Sequence, residues 1–229
     1  MPTVDILVLA NARKHLGRCV AGLRMDDGQW TRLVSKSADG TLNWSQYLLD
    51  SGKDARVLDV ISAGVKAPRP ALHQPENVVI DGSVWKLSTK YAPTDAIPHL
   101  QKALLPGPEL FGGCRDRVAW QEIEEKPTNA SLALIAPERI DLVQFKKADG
   151  KHHVRGQFAL TVGSRSGCYD LSLTDPHWEE IIKQKGPQIL DQKKHKFLAT
   201  VSLGEPFNGY CYKLLAAIIV LPPEIASAL

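Results

Sequence analysis

No apolar run in the chain reaches the roughly 18 residues that cross a bilayer as a helix. The longest, residues 214–221, has the length of a core strand. Residues 1–10, MPTVDILVLA, carry neither the basic stretch nor the small-residue cleavage site of a secretory signal, so a cytoplasmic location is expected. Cysteine is scarce: Cys19, Cys114, Cys168 and Cys211 are the only four in 229 residues, and no two are spaced Cys-x-x-Cys. Neither a zinc ribbon nor a redox pair is therefore indicated, and three of the four sit in apolar or strand-like runs, where a thiol is usually a small buried hydrophobe. An excess of one charge is also missing, since 28 Lys and Arg against 25 Asp and Glu leave a net charge of +3. That is only mildly basic, although it leaves room for a local basic face. The phosphate-binding P-loop, G-x-G-x-x-G, H-E-x-x-H and G-x-S-x-G are all absent.

What is present is one order of elements, written twice. In the first half, residues 4–10 and 18–25 have strand patterning. Asp26-Asp27-Gly28 is a turn signal, because Asp-Gly tolerates the positive φ of tight hairpins. Residues 30–35 follow as a third strand. A short helix is expected over 42–50, with Trp44, Tyr47 and Leu48 at i, i+3 and i+4. Residues 56–65 and 77–87 supply the remaining strands. In the second half, 140–146, 154–162 and 168–173 are strand-like, with Asp149-Gly150 as a turn. Asp175-Pro176 opens a helix with a capping carboxylate and a proline where no N–H is needed. Residues 197–203 and 212–221 close the half.

Three strands, a helix and two strands is the order of the OB barrel. An SH3-like or PUA-like barrel fits either half alone, and the double occurrence favours the OB order. The expected fold is mainly β: a five-stranded OB-like barrel over 1–90, a packed connector over 91–137, and a second barrel over 138–229. A short helix at 97–104 and a short strand at 118–123 are expected in the connector, whose Leu104, Leu110, Phe111 and Trp120 are too apolar for a disordered linker.

The stretches ILVLANARK…GRCVAG…GQWTRLVS (residues 6–35), LHQPENVVI (72–80) and SLGEPFNGYCYKLLAAII (202–219) resemble a bacterial family, the dual OB domain. The resemblance spans nearly the full chain. It implies two OB-like barrels and, by analogy with other OB folds, nucleic-acid binding.

An OB barrel binds single strands on strands two and three and the loops beside them, using Lys or Arg for phosphate and aromatic rings for bases. The first half offers Arg13, Lys14 and Arg18 in and after the break NARKHLGR, and Trp30 and Arg32 on the third strand. The same residues also fit a solvated hairpin tip beside a core tryptophan. On two-residue alternation Trp30, Arg32 and Val34 share one face. The second half offers Lys151, Arg155, Arg165 and Tyr169, and the run KQKGPQILDQKKHKF adds Lys193 and Lys194, the densest positive stretch.

For catalysis, His152 and His153 are adjacent on a strand and so point to opposite faces, which works against one metal ion. Asp175 is occupied as a cap, and Cys211 has no evident histidine partner. No catalytic residue, metal ligand or cofactor is expected. The chemistry points to a non-enzymatic module that binds DNA or RNA, single-stranded or structured. Two other readings remain open: an adaptor for a protein partner encoded nearby, and a sensor for a nucleotide-like ligand between the barrels. No membrane partner is expected.

Overall fold

The computed structural model describes residues 2–146 and 152–229. The Asp149-Gly150 turn, Lys147 and Lys151 lie outside the described residues.

In the first half, strands β1 (Thr3–Lys14), β2 (Gly17–Arg24), β3 (Trp30–Val34), β4 (Val60–Pro68) and β5 (Asn77–Ile80) form a closed barrel, with the short β6 (Lys86–Leu87) on β4. β1 pairs with both β2 and β4, and β3 runs parallel to β5, so the ring reads β1-β2-β3-β5-β4-β1. That is the OB order. The helix expected over 42–50 is a single turn, Trp44–Tyr47, held by a capping box between Asn43 and Gln46. Leu48 and Leu49 instead form isolated bridges to Asp54 and Trp85, which end the helix early.

The expected connector contributes to the second sheet. β7 (Arg117–Ala119) pairs with β14, and β8 (Leu132–Ile135) pairs with β13. The strand expected over 118–123 is in fact the three residues of β7 followed by a helix, Trp120–Glu125. The helix Ile97–Ala103 forms as expected, one residue short.

The second half repeats the OB order with β9 (Arg139–Lys146), β10 (His152–Val162), β11 (Arg165–Leu173), β13 (Phe197–Phe207) and β14 (Tyr210–Val220), and again the third strand runs parallel to the fifth. The helix Pro176–Lys185 follows β11, with Asp175 capping it. This barrel does not close as the first does. Among the described residues β13 makes no ladder with β9. Instead β8 lies on β13, and β12 (Gln188–Asp191), a strand the sequence pattern did not reveal, lies on β9. Each added strand covers an edge that would otherwise present unpaired N–H and C=O groups.

Three cores result. Ile6, Val8, Val20, Leu33, Ile61 and Trp85 fill the first barrel. Phe158, Tyr169, Leu171, Phe197, Leu215 and Ile218 fill the second. A third core joins the two: Leu7, Leu9, Ala21 and Leu23 from the first barrel pack on Leu134, Leu198, Ala217 and Ile219 from the second. β1 is therefore buried on both faces, which is why residues 6–9 read as an unbroken apolar run instead of alternating.

Candidate functional site

The β1–β2 connection is shorter than the sequence suggests. β1 continues through Asn11, Arg13 and Lys14, and only His15 and Leu16 form the turn, with His15 at a left-handed φ of 49°. Gly17 follows because a Cβ there would fall 2.0 Å from the Leu42 carbonyl oxygen. The cationic break is thus strand end and turn tip, and Leu16 is fully exposed.

Each of the first-half candidate cations, Arg13, Lys14, Arg18 and Arg32, has an acid. Arg13 Nη2 lies 2.5 Å from Glu179 on the helix of the second half, and Lys14 Nζ donates to Glu205 Oε1 at 2.9 Å. Lys14 also donates to the Asp39 carbonyl oxygen. The Asp39 carboxyl is held far below the usual range, first by the hydroxyls of Thr41 and Ser37. Arg18 pairs with Asp54 at 3.3 Å and stacks over the Tyr47 ring. These contacts brace the tip, and two of them bridge the barrels.

Arg32 is the largest departure from expectation. Its side chain is 2% exposed, with Nε donating to Glu76 at 3.0 Å, Nη1 to Cys19 Sγ at 2.9 Å, and Nη2 to Ser131 and Ser202 at 2.7 and 3.2 Å. The alternation correctly put it opposite Thr31 and Leu33, on the outside of the first barrel. The second sheet then covers that outside. Trp30 is half-buried against the core between the barrels. The strand-two and strand-three face of the first barrel is therefore a packing surface.

The loop between β4 and β5 completes the junction. Gln74 Nε2 donates to the Leu203 carbonyl oxygen at 3.0 Å, and Glu76 also accepts from Ser131. His73 packs edge-on to Trp120, its centroid 5.8 Å away, and burial lowers its pKa. None of these roles was read from LHQPEN, where only the adjacent carboxylate and amide could have signalled a polar pin.

The second sheet keeps its counterpart face free. The side chains of Arg155, Gln157, Ala159 and Thr161 on β10 and Ser166, Cys168, Asp170 and Ser172 on β11 pair across the outer surface, while Val154, Phe158 and Leu160 point into the core. Cys168 is exposed on this face, whereas Cys211 is buried. Tyr169 faces the other way. It is 4% exposed, stacked on Phe158 at 5.3 Å, and its hydroxyl donates to the Pro108 carbonyl at 2.6 Å while accepting from Leu110 N. Burial pushes its pKa up, and it offers no platform to an external ring. The sequence missed Phe145. It is 37% exposed on β9, directly across from His153, with the two rings stacked at 6.0 Å and 28°.

Basic groups lie at both ends of this face. Arg155 stands two ladder positions from the Phe145–His153 pair, on the same face, with its Nε 2.6 Å from Asp170 Oδ1. Lys193 and Lys194 lie at the opposite end, in the turn that β12 runs into, whereas Arg165 at the start of β11 alternates with the inward Tyr169 and so stands on the other side of the sheet. Among the described residues no ion pair involves these last three.

Beside Arg155 the free face runs into a cavity of about 470 Å³ between the barrels. Ala12, Cys19 and Ala21 line one wall and Tyr212, Leu214 and Ala216 the other; Arg13, Lys14 and Glu205 lie at its rim. Lys213, on the same strand, shares a face with Leu203 and turns inward: it is 2% exposed, and Nζ donates to the Gly113 carbonyl at 2.8 Å. Burial without a carboxylate contact lowers its pKa to about 8. Among the described residues no cluster of three metal-ligating side chains occurs, and no helix is long and apolar enough to cross a membrane.

A family model described as a dual OB-containing domain matches residues 4–218, nearly the whole chain. A comparison with curated proteins gives no match.

Proposed function

The chain belongs to the dual OB-containing domain family, and on that footing we propose that it binds single-stranded DNA or RNA, without catalysis, on the outer face of β9, β10 and β11. The observation that carries this reading is the contrast between the two halves. The outer β2–β3 face of the first barrel is buried against the second sheet, whereas the equivalent β10–β11 face is exposed and carries Phe145 stacked on His153 beside Arg155. A base can stack on an exposed ring whatever its identity, because every base has a π-face. Arg155 at one end, with Lys193 and Lys194 at the other, brackets the path a sugar–phosphate chain would follow along the strands. The first barrel then acts as the brace that fixes the second, through the shared core and the Arg32–Glu76 pair.

Fluorescence anisotropy with labelled oligonucleotides tests the reading. Binding is expected, with an affinity that falls steeply between roughly 50 and 200 mM salt as counterions compete. Absence of binding to every single-stranded DNA and RNA at the lower salt overturns it. A partner protein captured from nuclease-treated lysate, with no oligonucleotide bound, would favour the adaptor reading instead.

A further inference from the structure

We propose that the cavity between the barrels holds one nucleotide, its base between the alanine wall of β1–β2 and the Leu214–Ala216 wall of β14, its phosphate at the Arg13–Lys14–Arg155 rim. In a complex with a single strand this is the terminal nucleotide. The strand assignment rests on the face reading given above.

Three observations carry the assignment. The first is shape and chemistry. About 470 Å³ lies within the range of small-molecule sites, and short apolar side chains (Ala12, Ala21, Leu214, Ala216) face each other across it, with Arg13, Lys14, His15 and Arg155 around them. The apolar stretch accepts a planar ring that brings two apolar faces, and the cations around it suit the phosphate attached to that ring. The second is a hydrogen-bond count at Arg32, which also lines the cavity. A guanidinium carries five N–H groups. Glu76 takes the one on Nε, Ser131 and Ser202 take two on Nη2, and Cys19 takes one on Nη1. One Nη1 hydrogen is left without an acceptor among the described contacts, in a side chain that is 2% exposed. A ring nitrogen or carbonyl oxygen of a base supplies that acceptor. The third is continuity. Arg155 belongs both to the free sheet face, across from Ser172, and to the cavity lining, so a chain crossing the face ends at the cavity mouth. At the rim Arg13, Lys14 and Arg155 are each paired to a carboxylate, so a phosphate shares these cations with Glu179, Glu205 and Asp170. Base insertion therefore dominates affinity.

The test uses the full chain with two probes. The 5′-monophosphates of adenosine, cytidine, guanosine and uridine are measured alone by equilibrium dialysis. Single strands carrying 2-aminopurine at either terminus or internally are followed by fluorescence. Ala12→Leu and Ala216→Leu fill the slot from opposite walls, and thermal unfolding checks that each folds. The expected result is that at least one mononucleotide binds, terminal 2-aminopurine responds more than internal, and both signals fall roughly tenfold or more in the filled variants. If neither filled variant folds, Arg155→Ala carries the test through weakened mononucleotide binding.

Folded variants that bind mononucleotides like the unmodified chain overturn the proposal. If strands bind but no mononucleotide does, and terminal and internal probes respond alike, the cavity assignment fails while the face reading stands. If no strand binds but a mononucleotide does and Ala12→Leu abolishes it, the face reading fails and the cavity is a site for a free nucleotide.

Discussion

Arg32 on β3 and Glu76 at the foot of β5 face each other at 3.0 Å, with side chains 2% and 6% exposed, sealed beneath the second sheet. Ser131 and Ser202 of the second half reach into the pair, so it closes the first barrel and fastens the second to it. Removing one partner leaves a buried charge without compensation. Arg32→Ala is expected to cost about 3–5 kcal/mol of stability, and Glu76→Ala a similar amount. The double variant should cost much less than their sum, as coupled neighbours do. Urea denaturation of the three variants checks this, and simple additivity would show that the pair does not act as a unit.

Asp175 links the helix Pro176–Lys185 to the sheet. Its Oδ1 accepts from His177 N at 3.0 Å and Trp178 N at 3.4 Å, while Oδ2 accepts from Ile218 N on β14 at 3.0 Å. Asp175→Ala loses the cap and strands a buried N–H, for an expected cost of roughly 2–4 kcal/mol.

The same carboxyl carries a pH signature. Burial raises its native pKa above the ordinary value, against the three backbone hydrogen bonds. The native state therefore holds the proton over a pH window in which the unfolded chain has lost it. Stability attributable to Asp175 is greatest at and below the unfolded value near 3.9 and declines as pH rises through the raised native one. Asp175→Asn, which keeps an accepting oxygen, should remove that decline when unfolding midpoints are compared from acid to neutral pH.

Lys213 has the opposite sign. Its native pKa is lowered to about 8 by burial, so from there to about 10.4 the native state binds fewer protons than the unfolded chain. Stability should rise across that interval, on the order of 2–3 kcal/mol, as the cost of a buried ammonium is relieved. Lys213→Met should abolish the rise in denaturation curves recorded from pH 7 to 10. A rise of equal size in the variant would assign it to another group.

On the sheet face, Phe145→Ala is expected to weaken oligonucleotide binding by about 1–3 kcal/mol, the range for loss of one stacked base. Lys193→Ala with Lys194→Ala should instead weaken it evenly across sequences and reduce the log–log salt slope by roughly 1.4, two contacts at about 0.7 each on a single strand. Anisotropy titrations at several salt concentrations separate these effects. An unchanged slope would place both lysines off the nucleic-acid path.

Much of this architecture was legible before any coordinates, and for a local reason. Strand periodicity, turn residues such as Asp26-Asp27-Gly28 and the Asp175-Pro176 helix start act through the backbone of their own segment, so the order of elements followed from the sequence twice. β8 and β12 escaped because four residues are too few to show a period, and each owes its strand form to the neighbouring edge it covers. The helix over 42–50 shrank to one turn because Leu48 and Leu49 found bridge partners in Asp54 and Trp85.

The candidate site followed the same division. The sequence by itself determined which side of β3 Arg32 occupies, since alternation along a strand is a property of the strand. Only the tertiary structure decided that this side is covered. Packing two sheets through Leu7, Leu9, Leu134 and Ile219 turns an outer face into an interior, pairs Lys14 with Glu205 across the junction and seals Arg32 in with Glu76, Ser131 and Ser202. The same packing decided that the NARKHLGR stretch braces a boundary at Glu179 and Glu205, and left a cavity beside it where small side chains meet. Which of two equivalent faces stays open depends on where the other half of the chain lies, and no local pattern encodes that.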